Sequence, residues 1–405
     1  MIIKKAIKID LSNREPIRQE IWREPITIGA FCNSNQPYQI CKQCVMDTTD
    51  PTIFFNDDGI CTYCLKFSNT KDLLIAKSNN DSALDHLVTT IKNNAKNQSD
   101  YDCVLGLSGG IDSSYLAVIA KKLGLHPLIV HVDAGWNTNI ANENIKNIVN
   151  YLDADLYTKV IDWESLKNTQ IAYLKSGLAN IDTPQDHVIF RTIYDICKEF
   201  RIQFILSGSN YASESILPEE WGYDAMDGYQ IKKIIQQFGK NNTHHIDPLS
   251  YLNFYFSKSM FQGIRTFSPL NFVEYSKDDA IKFLNAQTGW QNYGEKHYES
   301  IWTKYFQGYF LPYRFGYDKR KAHYSSLILS RQISRDKAFD LLAESSFTQE
   351  NLLQAERFIC NKLEITSEEL NYFKNIPLSH YSDYKNKKQS RSVYSTLSAQ
   401  VQKWR

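Results

Sequence analysis

The sequence predicts an α/β protein: a doubly wound, mostly parallel sheet, preceded by a small metal-binding ribbon and followed by a helical region. Three observations carry the prediction. Residues 102–289 alternate apolar strand-like runs with helical segments, four cysteines fall in two C-x-x-C pairs ahead of them, and residues 290–405 turn aromatic and basic, then helical in pattern. Near-continuous apolar strands separated by helices belong to parallel sheets covered on both faces.

The expected strands are "DCVLGLS" (102–108), "HPLIVHVDAG" (126–135), "LYTKVID" (156–162), "IQFILSGSN" (202–210) and "GIRTFSPL" (263–270). Between and after them, "IDSSYLAVIAKKLG" (111–124), "ANENIKNIVNYLDA" (141–154), "DHVIFRTIYDICKEF" (186–200) and "SKDDAIKFLNAQTG" (276–289) read as helices. Ligands of such sheets bind beyond the carboxyl ends of the strands. The composition shifts divide the chain into an extension (1–37), a ribbon (38–70), the sheet domain (71–275), which opens on a polar helix-like linker, and a C-terminal region (276–405). The tail from residue 386 either moves or docks.

Lys and Arg number 46 against 45 Asp and Glu, a net charge of +1, which excludes the global basic field of most nucleic-acid binders. A small or local ligand fits better. The first twenty residues break their apolar runs with charges and no window of about 18 apolar residues occurs, so a cytoplasmic protein without a membrane partner is expected.

Cys41, Cys44, Cys61 and Cys64 follow the spacing C-x2-C-x16-C-x2-C, with the turn "NDDG" (56–59) between the pairs. Four thiolates satisfy tetrahedral zinc and leave no open position, so this ion is expected to be structural; an iron–sulfur cluster is the alternative. Cys32, Cys103, Cys197 and Cys360 read as ordinary apolar residues.

"LGLSGGIDSSYLA" (105–117) sets a glycine-containing loop between a strand and a helix. There, backbone N–H groups and the helix dipole together favour an anion such as phosphate. The loop lacks the lysine of the Walker pattern, which points away from γ-phosphoryl transfer. Ser108-Gly109-Gly110-Ile111-Asp112-Ser113 resembles the S-G-G-x-D-S loop of the PP-loop ATP pyrophosphatases, HUP-like adenine nucleotide alpha hydrolases that include NAD and GMP synthetases and tRNA-thiolating enzymes. The resemblance implies that ATP is used, that Ser108, Gly109, Gly110, Ser113 and Ser114 surround pyrophosphate, and that Asp112 helps hold Mg²⁺. It further implies adenine contacts at Val132 and Asp133 in "HVDAGW". In "SGSNYASES" it implies a nucleotide contact at Gly208 and a second magnesium carboxylate at Glu214; alone, Glu214 equally reads as a helix-start carboxylate.

The zinc knuckle, this loop, and the distal "YGEKHYES" and "FGYDKRKAHYSSLI" together resemble the N-acetyl sugar amidotransferase family of surface-polysaccharide and flagellin-glycan pathways, across roughly residues 38–345. Arg331 stands where that family's pattern expects glycine. The resemblance implies conversion of an acetamido group, on a sugar such as a nonulosonic acid, to an acetamidino group through an O-adenylyl imidate and ammonia. It assigns catalysis to Lys296 and His297 beside Asp112, and substrate binding to Glu299, Lys319, Arg320, His323 and Trp221. It also implies a separate glutaminase subunit and a cyclase-like companion that deliver ammonia.

Each distal residue has a plainer reading. The charges suit a solvated helix face, His297 a structural histidine, Trp221 a packed one, and Thr183-Pro184-Gln185-Asp186 either a wall of the site or a simple helix start. The rival function is a PP-loop tRNA-modifying enzyme, forming thiolated or lysidine bases, for which Lys319–Lys321 is a short basic stripe.

Overall fold

The computed structural model describes residues 37–68, 81–95, 99–251, 253–254, 263–294 and 296–388. Expectations for most of the N-terminal extension, for Cys32, for Glu295 and for the tail beyond 388 lie outside these residues.

Five strands form one parallel sheet: β1 (Cys103–Gly106), β2 (Pro127–Asp133), β3 (Leu156–Val160), β4 (Phe204–Leu206) and β5 (Arg265–Phe267), in the spatial order β3-β2-β1-β4-β5. Alternation along β1 explains the two faces. Cys103 and Leu105 pack with Leu116, Ile129 and Leu284 on one side, whereas Val104 packs with Leu128, Val130, Ile196 and Ile205 on the other. The edge strand β3 is largely exposed, and β5 at the opposite edge spans only Arg265–Phe267.

Helices alternate with the strands: α1 (Asp81–Ala95), α2 (Ile111–Lys122), α3 (Asn139–Leu152), α4 (Trp163–Ser176), α5 (Thr183–Glu199), α6 (Gly228–Phe238) and α7 (Lys277–Thr288). α2, α3 and α7 cover one face and α5 the other. The apolar pattern does not anticipate α4. Its start is fixed locally, because the Asp162 carboxylate accepts the Ser165 N–H at 2.9 Å, and its buried side packs against α6. α5 begins three residues earlier than its pattern suggests, with Thr183 inside the helix rather than at its cap.

Beyond α7, short helices at Ile301–Tyr305 and Leu311–Phe315 flank one π-helical turn, Phe306–Phe310. There follow α8 (Lys319–Leu329), α9 (Arg335–Ala343), α10 (Gln349–Leu363) and α11 (Ser367–Asn375). Their aromatic core includes Trp302, stacked on Trp136 with ring centroids 5.2 Å apart, and it is continuous with the ribbon cysteines. The ribbon carries two isolated antiparallel bridges, Ile40 with Asp47 and Phe55 with Cys61. It docks on α8 and α9: the Val45 N–H donates to Ser325 Oγ at 3.1 Å, Lys321 pairs with buried Asp47, and Arg335 donates to the carbonyls of Cys44 (2.9 Å) and Cys41 (2.8 Å).

Among the described residues, no helix is long and apolar enough to cross a membrane.

Candidate active site

The chain runs from β1 outward to β2 and β3, then returns across the sheet to β4, so the winding reverses between β1 and β4. Their carboxyl ends open a crevice where ligands of doubly wound sheets bind. The loop 107–110 leaves β1 into it and the segment 207–214 leaves β4 into it.

The loop after β1 is shaped by Gly109, whose φ is +81°; a Cβ there would lie 2.5 Å from the Ala141 carbonyl oxygen. The carbonyl of Gly109 is clamped in turn, accepting from Trp290 Nε1 at 2.9 Å and Asn144 Nδ2 at 3.3 Å. Ser108 Oγ accepts the Gly110 N–H at 3.2 Å, and Ser113 Oγ donates to the Gly110 carbonyl at 3.1 Å. Among the described residues, the N–H groups of Gly109, Asp112 and Ser113 have no partner. Gly208 presses close above them, where a Cβ would stand 3.1 Å from the Ser113 nitrogen. A nest of open N–H groups at the start of α2, kept free of side chains by glycines, is fitted to a phosphate group. Ser114 does not join it, because it is fully buried and its N–H bonds back to Gly110 at 3.0 Å.

Asp112 turns the other way, into a cluster of opposite charge. Its Oδ1 accepts from Tyr275 at 2.5 Å and Asn210 Nδ2 at 3.1 Å, and its Oδ2 from Lys296 Nζ at 2.6 Å. Lys296 Nζ also lies 2.9 Å from Glu214 Oε1 and 3.0 Å from Ser213 Oγ. Burial opposes both charges but does not prevail: Lys296 and Tyr275 hold the Asp112 carboxyl below its usual range, and Asp112 and Glu214 hold the Lys296 ammonium above its own. Two carboxylates therefore converge on one cation position, and that donor set fits a hard divalent ion such as Mg²⁺.

His297 and His323 face each other with ring centroids 5.8 Å apart. Burial, aided by Lys296, pushes His297 down to about 4 and His323 well below its normal value, so both are neutral at pH 7. His297 has φ +66°, a strained backbone for a non-glycine residue, immediately beside Lys296. Glu299 completes the turn and reaches the loop itself, accepting from Ser108 Oγ at 3.2 Å.

Val132 and Asp133 lie at the carboxyl end of β2, where Asp133 Oδ1 accepts the Gly135 N–H at 2.7 Å and closes the turn. Lys319, Arg320 and Lys321 are consecutive on α8, about 100° apart in projection, and diverge accordingly. Lys321 goes to the ribbon. Arg320 is engaged by Asp318 (2.7 Å) and the Glu344 carbonyl (2.6 Å), whereas Lys319 Nζ lies over the buried Phe306 ring, 5.2 Å from its centroid. Trp221 is fully buried and stacked on Tyr317 at 5.6 Å; its ring offers no open face to a sugar. Tyr275, Asn144 and Trp290 belong to the site without having been legible as part of it, since no short motif contains them; Asn210 stands within "SGSNYASES", whose pattern assigns it no role.

In the ribbon, neighbouring Sγ atoms of the four cysteines are 3.6–3.7 Å apart, and all four lie within 4.8 Å of one another. A zinc ion with bonds of about 2.3 Å defines a tetrahedron with edges of about 3.8 Å, so the cage has the right size. The N–H groups of Gln43, Cys44 and Cys61 point at Cys41 Sγ at 3.3–3.5 Å, as thiolate sulfur requires.

Residues 299–398 match the family described as "LPS biosynthesis protein WbpG-like, C-terminal domain", and residues 83–155 match the NAD synthase family. Among solved structures, the NH3-dependent NAD synthetase of Campylobacter jejuni is similar at 20% identity over 50% of this chain and 81% of that one, with a TM-score of 0.27. The NMN synthetase of Francisella tularensis is similar at 14% identity over 73% of this chain and 96% of that one, with a TM-score of 0.25. No curated protein matches. The chain thus joins a four-cysteine ribbon and a parallel α/β sheet of PP-loop, NAD synthetase-like fold to a C-terminal region similar, over residues 299–398, to the WbpG-like family.

Proposed function

We propose that this protein is an ATP-dependent amidotransferase of surface-glycan biosynthesis, converting an acetamido group of a sugar, such as a nonulosonic acid, to an acetamidino group. One observation carries the reading. The WbpG-like domain does not stand apart from the phosphate loop but enters it, through Glu299 at 3.2 Å from Ser108 Oγ, with His323 in the same cleft.

The chemistry explains the pairing. An amide oxygen is a poor leaving group, so it attacks the α-phosphate of ATP; the O-adenylyl imidate forms, pyrophosphate leaves and the amide N–H proton is released. Ammonia then adds to the imidate carbon, the C–O bond to AMP breaks, and the acetamidine remains after loss of a proton. The open N–H groups of Gly109, Asp112 and Ser113 hold the departing pyrophosphate, and preorganised donors there act where charge develops. Asp112 and Glu214 would hold Mg²⁺, which supplies further charge neutralisation. His297 and His323, neutral and adjacent, have ring nitrogens that can accept hydrogen bonds from ammonia and so orient it as it adds, the proton then passing to solvent. Cys103, Cys197 and Cys360 are buried, so none of them offers a glutaminase nucleophile; ammonia is proposed to come from a separate glutaminase with a cyclase-like companion. The ribbon's zinc is structural in this reading.

The test incubates the protein with Mg-ATP, ammonium chloride and a panel of acetamido sugars, following pyrophosphate and the mass change from oxygen to NH. Release of pyrophosphate without a sugar, or only with tRNA, would sink the reading.

A further inference from the structure

Beside the Asp112–Lys296 cluster lies a partly enclosed cavity of about 20 Å³ that the scheme above does not use. A molecule of the size of water takes about 10–15 Å³ of such space, so the cavity has room for one and none for a sugar ring. The ionisable groups on its wall are Asp112 from α2, Tyr275 and Lys277 at the start of α7, Lys296, and His323 and Tyr324 from α8. Buried Ile111 and Leu327 give it an apolar side. Asp112 is already engaged, by Lys296 Nζ at 2.6 Å and Tyr275 at 2.5 Å. Lys277 and His323 are not: among the described residues, neither the ammonium nor a ring nitrogen has a hydrogen-bond partner. Lys277 is also the first residue of α7, capped by Ser276, and the dipole of a helix disfavours a cation in that turn. An unpaired ammonium is therefore held on the cavity wall against the local field.

The occupant must be of water's size, must lie against Ile111 and Leu327, and must meet cations and a carboxylate at once. A small anion faces Asp112. An ammonium ion faces Lys277 and Lys296 and gives up its hydration to an apolar side. Neutral ammonia meets neither penalty, and its N–H groups can donate to His323, whose neutral ring has one acceptor nitrogen. The cavity is also in the right place, since Ile111 and Asp112 follow Gly110 directly and join it to the phosphate loop where the imidate would form. We infer that this cavity holds the ammonia that attacks the imidate, and that Lys277 is a positioning residue that keeps the ammonium ion out of it. Ammonia then enters from its equilibrium with ammonium, leaving that proton in solution. Its lone pair forms the C–N bond, AMP departs with the electrons of the C–O bond, and one proton passes to solvent. This rests on the amidotransferase reading and adds to it where the second substrate waits and in which protonation state.

The experiment gives the full chain Mg-ATP with N-acetylglucosamine, UDP-N-acetylglucosamine or N-acetylneuraminic acid and reads two reactions. One is sugar-dependent exchange of labelled pyrophosphate into ATP, which needs no ammonia; the other is amidine formation from ammonium chloride or methylammonium chloride. One methyl group more or less in a closed pocket is worth about 10–200-fold, so the unaltered protein should prefer ammonia to methylamine by at least about tenfold. Leu327→Ala enlarges the cavity and should cut that preference at least fivefold, a gain of methylamine use that misfolding does not mimic. Lys277→Met should lower the maximal rate of amidine formation about fivefold at pH 7, where ammonium far outnumbers ammonia. At pH 9, where the two are comparable, the rate should return to within about twofold, with pyrophosphate exchange within twofold at both pH values. An unchanged preference in Leu327→Ala overturns the cavity. A Lys277→Met variant that loses nothing, or whose loss persists at pH 9 or falls equally on the exchange, overturns the role of Lys277. Both results leave the amidotransferase reading standing, because exchange continues. Absence of sugar-dependent exchange in the unaltered protein counts against that reading and the cavity together.

Discussion

Lys296→Met isolates what the ammonium between Asp112 and Glu214 does. The three side chains are 9%, 15% and 19% exposed, and Lys296 Nζ is 2.6 and 2.9 Å from the two carboxylates. Removing one partner of a buried pair costs about 3–5 kcal/mol, and the residual solvent access places this case near 3. The variant's two acids would then face each other without a cation. Mg²⁺ fits that position, so the variant should recover most of the loss in Mg²⁺, whereas in the unaltered protein the ion must first displace the ammonium. Stabilisation by a bound ligand reaches about 2.7 kcal/mol at a hundred times its dissociation constant, which is enough to see. The assay is urea denaturation of both proteins in chelator-free buffer without and with millimolar MgCl2. Loss below about 1 kcal/mol without Mg²⁺, or an equal gain from Mg²⁺ in both proteins, would refute the idea that Lys296 holds the cation position.

Three other outcomes follow from single features. Stripping the ribbon with a chelator, or Cys61→Ser, should release one zinc per chain and also loosen α8 and α9, seen as faster amide exchange there, because Arg335 and Lys321 bond to the ribbon. Arg331 has φ +62°, with the Gln332 N–H bonded to Leu327 O and its own N–H to Ile328 O. That is a Schellman ending, so Arg331→Gly should raise stability by about 1 kcal/mol in denaturant titrations. Burial holds His187 down at about 4, as its Nδ1 donates to Ala225 O at 2.7 Å and its Nε2 accepts the Leu249 N–H at 2.8 Å. Its contribution is complete above pH 6.5 and is lost as pH falls through 4, worth about 3 kcal/mol in all, so stability curves between pH 7 and 4 should flatten in His187→Gln; an unchanged slope would contradict the neutral assignment.

What the sequence made legible is what is contiguous in it. The loop at 108–113 and the cysteine spacing each report a backbone shape within a few residues, and the sheet's alternation reports its own faces. Even the glycine missing at Arg331 is a statement about one dihedral angle. The rest of the site depends on which way a side chain faces, and that is decided elsewhere. "KRK" at 319–321 reads as one basic stripe, yet Asp318 and Glu344 take Arg320, the ribbon takes Lys321, and Lys319 rests over the Phe306 ring. The same logic separates Asp182 from an ordinary helix cap: nothing near it in sequence says that Thr303, 121 residues away, will turn its carboxylate off the helix. Trp221 fails in the opposite direction, since a tryptophan beside acidic residues suggests a sugar platform until Tyr317 covers it. The rotation of α8 therefore couples two sites that the sequence presents as unrelated. By binding Lys321 at one face, the ribbon helps set the rotation of α8 and with it the direction in which Lys319 points, so the four-cysteine cage, though far from the phosphate loop, bears on how α8 presents its other faces.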